Sequence, residues 1–261
     1  MKRTLITPDI DIFPSQLRPL LRGVPIYDSS CSPEARVFFI DRDSGYFLKS
    51  APKGELQKEA ELTNYFHQKR LAAEVLFYAS EENDWLLTSR VSGEDCTHSV
   101  YLDDPVRLCD ILAQQLRLLH EADTSGCPVP DRVRDYLATA ERNYSAGKYD
   151  GSLFSDGQGF SSAEDAWKEI RENGRFLKND VLLHGDYCLP NVILDNWRFS
   201  GFIDLGNGGV GDRHIDLFWG AWTLNFNLKT DKYRERFFDA YGRDKVDKDL
   251  LRTVAAAEVF G

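Results

Sequence analysis

Three polar side chains between residues 184 and 206 have the types and spacing needed for metal-assisted or acid–base chemistry. Asp186 follows an apolar, strand-like stretch, Asn191 comes five residues later, and Asp204 lies thirteen residues beyond that. Strand-like residues at 192–194 and 199–203 predict a hairpin, which would bring the amide and the second carboxylate to one site. Amide and carboxylate oxygens suit a hard cation such as Mg²⁺, which keeps some waters and takes phosphate oxygens as ligands.

The order of these groups matches the phosphoryl-transfer template, in which an Asp and an Asn of a catalytic loop precede the Asp of a D-x-G motif. Asp186 would then lie beside the cation, free to orient an attacking hydroxyl. A single H-x-D or D-x-G sequence is ordinary turn chemistry. Both together, in this order and with strand-like residues on either side, indicate an enzyme that transfers phosphoryl groups.

The same segment resembles the catalytic region of the aminoglycoside 3′-phosphotransferases, which are antibiotic-modifying relatives of protein kinases. The similarity is strongest at 188–191, 198–204 and 209–213, and extends weakly from about residue 29 to residue 260. It implies Asp186 as the catalytic aspartate, and Asn191 and Asp204 as Mg²⁺ ligands, with His184 bracing the catalytic loop. The implied function is ATP- and Mg²⁺-dependent phosphorylation of a hydroxyl on an aminoglycoside antibiotic or similar aminocyclitol, which confers resistance.

The resemblance also implies a lysine that holds the nucleotide phosphates. Lys49 closes a strand-like run at 46–49 and fits this role, with Glu59 as its ion-pair partner on a following helix and Glu61 as the alternative partner. Such a pair would hold the ammonium against the α- and β-phosphates. ATP is the expected nucleotide, and GTP remains possible.

Other positions would complete the nucleotide site. The G-x-G-x-x-G loop of ordinary protein kinases is missing from the sequence, and Ser32 matches the family's serine-bearing loop over the phosphates. Phe47 aligns with the family's adenine-stacking aromatic, although an aromatic in mid-strand is also typical of a core. Backbone groups near Ser89 and Val91 would bind the adenine edge, and Ile203 would line the pocket below it.

For the acceptor, the resemblance implies a polyamine held by carboxylates and by the C-terminal carboxyl group. Glu258 and the terminal Gly261 fit this description, and the acidic Asp156 and Glu164 lie in or beside a predicted loop at 147–162. We therefore predict that these residues bind a cationic acceptor.

Several positions near the predicted acceptor site depart from the family's pattern. Asn207 and Ala257 stand where relatives carry an arginine and an aspartate, and Trp222, Phe226 and Asn227 replace charged residues on a helix. Aromatic side chains favour stacking on sugar rings or contact with ammonium groups, so Trp222 is a further candidate for the acceptor site. Alternatively, Trp222 simply packs the helix.

Two other functions remain open from the sequence. The aromatic helix around Trp222 would suit a kinase of another small hydroxylated metabolite, such as choline, homoserine or a ketoamine sugar. A non-catalytic nucleotide-binding module is the more distant alternative, since every catalytic position that we matched is intact.

Composition narrows the possible partners. The chain has 261 residues and a formal net charge of −10, which argues against nucleic-acid binding and favours a small cationic partner. The longest apolar run, at 218–224, is far shorter than the roughly 20 residues of a membrane span, and no signal peptide is visible. We expect a cytoplasmic protein that binds no membrane. The five scattered cysteines contain no C-x-x-C and predict free, mostly buried thiols.

The predicted elements form a two-lobed α+β architecture, and the resemblance implies that this is a protein-kinase-like fold. A small β-rich lobe at 1–92 would bind the nucleotide, and a larger, mainly helical lobe at 93–261 would hold the catalytic and acceptor groups. Strands are predicted at 37–40, 46–49, 85–88, 181–183, 192–194 and 199–203. Helices are predicted at 55–68, 215–228, 233–241 and 247–260, and in a run after Asp104 with Val106, Cys109, Leu112, Leu116 and Leu119 buried on one face.

Overall fold

The computed structural model describes residues 3–31, 35–154 and 159–261. The chain divides into two compact units, the first formed by Met1–Asp95 with Pro190–Gly206 and the second by Cys96–Leu189 with Asn207–Gly261. The first unit is mostly β-structure and the second is mostly helical. The segment that carries Asn191 and Asp204 therefore folds with the N-terminal part of the chain, whereas Asp186 belongs to the second unit.

The first unit is built on an antiparallel sheet whose strands follow the order β1-β2-β3-β4-β6-β5. The strands are β1 (Thr4–Ile6), β2 (Ile26–Asp28), β3 (Arg36–Ile40), β4 (Tyr46–Pro52), β5 (Val75–Ser80) and β6 (Asn83–Ser89). The strands predicted at 37–40 and 46–49 are confirmed as a hairpin, in which β3 pairs with β4 and Phe39 lies opposite Phe47. Its turn contains Asp43 and Gly45 at positive φ, a conformation that Gly and Asp tolerate.

Alternation along these strands separates the core from the opposite face of the sheet. Phe38, Ile40 and Leu48 point into a core that includes Phe13, Leu17, Leu21, Ile26, Trp85 and Leu87. The residues that alternate with them along the strands, including Phe47 and Lys49, point to the other face of the sheet. A one-residue change of register would bury the Lys49 ammonium in this core, so the apolar pattern fixes which face carries it.

Two smaller elements complete the first unit. Helix α2 (Gln57–Gln68) packs next to β5, after the short α1 (Arg18–Leu21). A second sheet has the order β10-β9-β7, with β7 at Glu94–Asp95, β9 at Val192–Asp195 and β10 at Arg198–Phe202. The predicted hairpin is confirmed as the antiparallel pair of β9 and β10.

The second unit contains the remaining helices of the described chain. They are α3 (Ser99–Leu102), α4 (Pro105–His120), α5 (Arg132–Ser145), α6 (Ala163–Asn173), α7 (Arg213–Leu228), α8 (Arg234–Tyr241) and α9 (Lys248–Glu258). Most of these helices have an N-cap residue whose side chain accepts a hydrogen bond from a backbone amide of the first turn. The N-cap residues of α4, α5, α6, α7 and α9 are Asp104, Asp131, Ser162, Asp212 and Asp247. A two-stranded antiparallel pair, β8 (Val181–Leu183) and β11 (Gly209–Gly211), lies among these helices.

The predicted face of α4 is right except at one position. Cys109, Leu112, Leu116 and Leu119 are buried, but Val106 is 43% exposed. The buried stripe begins at Leu108, and Val106 lies at its flank in the first turn, so the prediction for Val106 was wrong.

The cysteines and the helix lengths bear on two further expectations. All five cysteines are free, with Cys96 and Cys109 buried, Cys127 and Cys188 half-buried, and Cys31 exposed. Within the described ranges, no helix has both the length and the apolar composition that crossing a bilayer requires.

Gly93, between β6 and β7, tests how tightly the second sheet is packed. It has φ +104°, and a Cβ there would lie 2.2 Å from the Leu194 carbonyl oxygen, whereas Gly54 has φ +91° with open space around it. We expect Gly54→Ala to lower the free energy of unfolding by about 1 kcal/mol, from backbone strain alone. Gly93→Ala should cost at least about 3 kcal/mol, because the backbone oxygen cannot give way. Urea unfolding followed by circular dichroism measures both, and equal losses would contradict this account.

Candidate active site

Lys49 is held between two carboxylates of the first unit. Its Nζ lies 2.7 Å from Glu59 Oε2 and 2.8 Å from Asp204 Oδ1. Strand β4 supplies the lysine, α2 supplies Glu59, and Asp204 follows β10. The structure places Glu59 against Lys49, whereas Glu61 accepts a hydrogen bond from Gln57 one turn earlier on the same helix. The partner chosen from the sequence is thus the one that contacts the lysine.

The electrostatics of this cluster keep Lys49 charged. Burial alone would lower the pKa of the ammonium, but the Glu59 and Asp204 carboxylates together raise it above its ordinary value of 10.5. One ammonium between two carboxylates leaves a formal charge of −1, so the cluster can accept a further cation. Asp204 is the more accessible of the two acids, with 51% of its side chain exposed against 10% for Glu59.

A buried acid that the sequence analysis missed positions Glu59. Asp84 is fully buried on β6, and its Oδ2 accepts the Leu56 amide at 2.9 Å and the Tyr78 hydroxyl at 3.2 Å. Although burial opposes the charge, hydrogen bonds from Ser80, Gly54 and Leu56 hold the pKa of Asp84 below its ordinary value. The carboxylate therefore holds the start of α2, the helix that carries Glu59. The signal in the sequence is an acid next to the apolar run 85–87.

The hairpin of β9 and β10 brings the predicted metal ligands together. Val192 pairs with Phe202, and the Ile203 amide donates to the Asn191 carbonyl at 3.1 Å, so Asn191 and Asp204 flank the open end of the hairpin. Asp204 has φ +60°, a left-handed conformation that is costly outside glycine and recurs at functional sites. Both side chains line the same cavity.

This cavity has a volume of about 530 Å³ and collects most of the predicted nucleotide residues. Its walls include Phe47, Lys49, Glu59, Ser89, Val91, Asn191, Ile203 and Asp204. That volume lies within the range of small-ligand sites. Ser32 lies outside the described residues, so its predicted place over the phosphates stays a prediction.

Two wall residues were not expected from the sequence. The Arg3 guanidinium lies 3.6 Å from the centre of the Phe39 ring and 5.6 Å from that of Phe47, at the end of the cavity predicted to hold the base. Ser29 is buried in the wall, and its hydroxyl has no hydrogen-bond partner within the described residues. No sequence pattern indicates Arg3, because its position depends on pairing of the short strand β1 with β2.

In the second unit, the loop that carries Asp186 is tied down by its backbone. The amides of His184 and Gly185 donate to the two oxygens of Asp216, at 2.8 and 2.7 Å. The Asp186 amide lies 3.3 Å from Nδ1 of the fully buried His184. Gly185 has φ +86°, and a Cβ there would lie 1.9 Å from the Asn207 carbonyl oxygen, so only glycine fits. These hydrogen bonds hold the backbone on the N-terminal side of Asp186 and so fix the position of its Cα atom.

Cys188, two residues after Asp186, is chemically quiet. Burial and the neighbouring Asp186 carboxylate raise the pKa of its thiol well above the ordinary value, so the thiol stays protonated. It therefore offers no competing nucleophile.

Among the predicted acceptor residues, Glu258 has the most unusual environment. Its Oε1 accepts the Tyr136 hydroxyl at 2.8 Å and Trp219 Nε1–H at 3.1 Å. Burial raises the pKa of Glu258 to about 7, against the opposing effects of Tyr136, Trp219 and Arg132, and Asp186 raises it further. The Asp186 carboxylate thus adds to the effect of burial on the pKa of Glu258.

The other predicted acceptor residues surround the end of the chain. The Gly261 amide donates to the Glu258 carbonyl at 3.1 Å, and the Asn143 amide group donates to the Phe260 carbonyl at 2.7 Å. Glu164 is exposed on the first turn of α6 and accepts a hydrogen bond from Tyr144. Tyr144 in turn contacts Phe260 edge-on, which connects Glu164 to the C-terminal segment. Asp156 lies outside the described residues, and its role stays a prediction.

Trp222 belongs to an aromatic row on α7. It stacks on Phe226 with ring centres 4.9 Å apart and meets Trp219 edge-on at 5.4 Å. Lys229 lies 4.2 Å from the centre of the Phe226 ring. One face of Trp222 is therefore covered by Phe226, and the row leads back to Glu258 through Trp219. The role of Trp222 in acceptor binding stays a prediction.

Comparison with solved structures defines the fold. The chain superimposes on an aminoglycoside phosphotransferase of Streptomyces rimosus with a TM-score of 0.76 at 22% identity, covering 97% of this chain and 99% of the other. The complex of that protein with ADP and streptomycin gives a TM-score of 0.71 at 23% identity, covering 86% and 90% of the two chains. These similarities confirm the predicted kinase-like α+β fold.

Sequence comparison defines the family. The model of the phosphotransferase enzyme family matches residues 32–253. A probable aminoglycoside 3′-phosphotransferase of Lactococcus lactis is 51% identical over 254 residues, which is 97% of each chain. The chain therefore belongs to the phosphotransferase enzyme family, as the resemblance in its catalytic segment predicted.

The raised pKa of Glu258 predicts a dependence of stability on pH. Between the ordinary value of 4.5 and about 7, the folded protein keeps a proton that the unfolded chain has released. The free energy of unfolding should therefore fall as the pH rises through this range. Glu258→Gln has no such proton to lose. As the pH rises through this range, the free energy of unfolding of the variant should therefore increase relative to that of wild type by up to about 1.4 kcal/mol per pH unit.

Urea unfolding at pH 5 and at pH 8 checks this prediction, with the exposed Glu172→Gln as a matched control. The control should keep a constant difference from wild type. A constant difference for Glu258→Gln as well would show that Glu258 ionises normally in the folded protein.

Proposed function

We propose that this chain transfers the γ-phosphoryl group of ATP to a hydroxyl of an aminoglycoside or similar aminocyclitol, and that this modification confers antibiotic resistance. The observation that carries the proposal is the Lys49 ammonium, held within 2.8 Å of Glu59 and Asp204 in a nucleotide-sized cavity. Phosphoryl transfer needs positioning and charge neutralisation more than covalent chemistry, and Lys49 supplies a positive charge that its two partners hold in position.

In this proposal, Lys49 binds the α- and β-phosphates. Glu59 is the more deeply buried of its partners and keeps its position, while the more exposed Asp204 gives up its contact to the incoming phosphate. Phe47 stacks on the base at the other end of the cavity, and backbone groups at Ser89 and Val91 meet its edge. These contacts do not separate ATP from GTP.

The residues present also fit a magnesium ion. Asn191 and Asp204 offer one amide and one carboxylate in the same cavity, next to the excess negative charge around Lys49. Within the described residues, no three His, Cys, Asp or Glu side chains form a metal site, so phosphate and water would supply the other ligands. When bound, Mg²⁺ would neutralise charge on the β- and γ-phosphates.

Asp186 is the proposed catalytic residue. Its carboxylate orients the acceptor hydroxyl and takes its proton late in the transfer, because the loose transition state needs little activation of the nucleophile. The hydrogen bonds from the His184 and Gly185 amides to Asp216 hold the backbone on the N-terminal side of Asp186.

The acceptor is proposed from the family relationship and from the acidic groups of the second unit. The 51% identical relative is named a probable aminoglycoside 3′-phosphotransferase. Glu258 and Glu164 supply acids to ammonium groups, with Gly261 next to Glu258, and the net charge of −10 favours a polyamine over a nucleic acid. We propose action in the cytoplasm, where ATP is supplied, without membrane binding.

Replacing Asp186 tests the catalytic assignment. Asp186→Ala should lower kcat by at least about a hundredfold, the usual contribution of a positioned base, and leave the Kd for ATP within a factor of two. A coupled assay of ADP release with kanamycin and calorimetry with ATP measure the two quantities. Asp195→Ala, an exposed acid on β9, is the control and should match wild type. A variant at residue 186 that keeps a tenth of the wild-type rate would remove Asp186 from the mechanism.

An acceptor panel tests the substrate class. We expect ADP release with kanamycin and neomycin and none above background with choline or homoserine, since only the former present several ammonium groups to the acids near Glu258. Expression in a susceptible bacterium should raise the inhibitory concentration of the same antibiotics. ADP release with choline or homoserine, and none with the antibiotics, would show that the acceptor is a small metabolite and would contradict the proposed substrate class.

A further inference from the structure

A chain of buried polar groups runs behind the catalytic loop, and the proposed mechanism leaves most of it unused. His120, the last residue of α4, lies with Nδ1 2.8 Å from the Tyr241 hydroxyl and with Nε2 3.2 Å from Asp216 Oδ2. His120, Asp216 and Tyr241 are all buried. They come from α4, α7 and α8, and α4 is far from the other two helices in the sequence.

Hydrogen-bond chemistry fixes the direction of this chain. Burial lowers the pKa of His120, so the imidazole is neutral and carries a single proton. The Asp216 carboxylate only accepts, which places that proton on Nε2. Nδ1 is then the acceptor, and the Tyr241 hydroxyl donates to it. Burial also raises the pKa of Tyr241 to about 12, so its hydroxyl keeps the proton that it donates.

Asp216 collects three donors through these contacts. Oδ1 accepts the Gly185 amide, and Oδ2 accepts both the His184 amide and His120 Nε2–H. A buried carboxylate needs such donors to stay charged and to keep one orientation. Two of the three belong to the loop that Asp216 holds, and His120 is the donor that comes from outside it.

We propose that His120 is a positioning residue: with Tyr241 behind it, His120 fixes the orientation of Asp216, and Asp216 fixes the backbone that leads into Asp186. The inference rests on the proposed catalytic role of Asp186. His120 touches no reacting atom and acts through the rigidity of the loop. A displacement of about 1 Å at a catalytic group can cost a hundredfold in rate, so one outside donor can matter for turnover.

The second unit contains a matched control. His214 is also buried beside an acid, with Nδ1 2.6 Å from Asp212 Oδ1. Its Nε2, however, accepts the Asp247 amide before α9 at 2.9 Å, and among the described residues no hydrogen bond joins it to the catalytic loop. Replacing His214 removes a buried histidine of similar environment and leaves the support of Asp216 intact.

The experiment compares His120→Leu, His120→Gln and His214→Leu. Hydrogen exchange of the His184 and Gly185 amides is the first readout, and kcat with the KM for ATP is the second. In His120→Leu, both amides should exchange at least about tenfold faster and kcat should fall about ten- to hundredfold, with the KM for ATP unchanged. His120→Gln keeps an N–H near the position of Nε2 and should restore much of both. His214→Leu should lose comparable stability without either effect.

The two readouts separate this inference from the proposed function. Faster exchange in His120→Leu with no transfer to any acceptor, even by wild type, would leave the positioning role standing and remove the phosphotransferase. Unchanged exchange and kcat in the His120 variants would overturn the positioning role. Equal effects in His214→Leu would also overturn it, because they would show that His120 contributes only to the overall stability of the fold. If His120→Leu does not fold, His120→Gln and Tyr241→Phe decide, and the latter should accelerate exchange by a factor of two or more.

Discussion

The charge balance at Lys49 is the constraint on which the first unit depends. One ammonium lies against a deeply buried carboxylate and a half-exposed one, so each charge offsets the cost of burying the others. Strand β4, helix α2 and the turn after β10 must all be in register for the three groups to meet. The asymmetry of the two acids gives the cluster its chemical use. In the proposed mechanism, Glu59 has little access to solvent and stays with the lysine, whereas Asp204 exchanges the lysine for a cation when a phosphate takes its place.

Buried acids with backbone donors hold the functional segments in both units. Asp84 accepts the Leu56 amide at the start of α2, and Asp216 accepts the amides of His184 and Gly185 before Asp186. Hydrogen bonds from backbone amides stabilise a carboxylate in the interior without a buried cation. They also tie the acid to one conformation of the chain. The residues proposed to do chemistry are therefore positioned by acids that do none.

The sequence was sufficient where local patterns decide structure. Strand-like runs at 37–40 and 46–49 predicted β3 and β4, and the Asp104–Pro105 pair predicted the start of α4. Family resemblance chose Glu59 over Glu61, and the contact with Lys49 agrees with that choice. Residues positioned by distant elements were missed. In the sequence, Asp84 and His120 resemble ordinary solvent-exposed polar residues, because their burial depends on the sheet and the helices that pack around them. The position of Arg3 likewise depends on the pairing of β1.

The environment of Glu258 shows how a buried acid can favour an ammonium ligand. Tyr136 and Trp219 both donate hydrogen bonds to Oε1 of the buried carboxyl. Because burial outweighs these donors, the group is about half protonated near pH 7. A neutral acid attracts a cation weakly, but an approaching ammonium favours ionisation and so strengthens its own binding. A hydroxyl gains nothing from this change. In the proposed function, the buried setting of Glu258 would thus increase the difference in binding between a polyamine and an uncharged sugar.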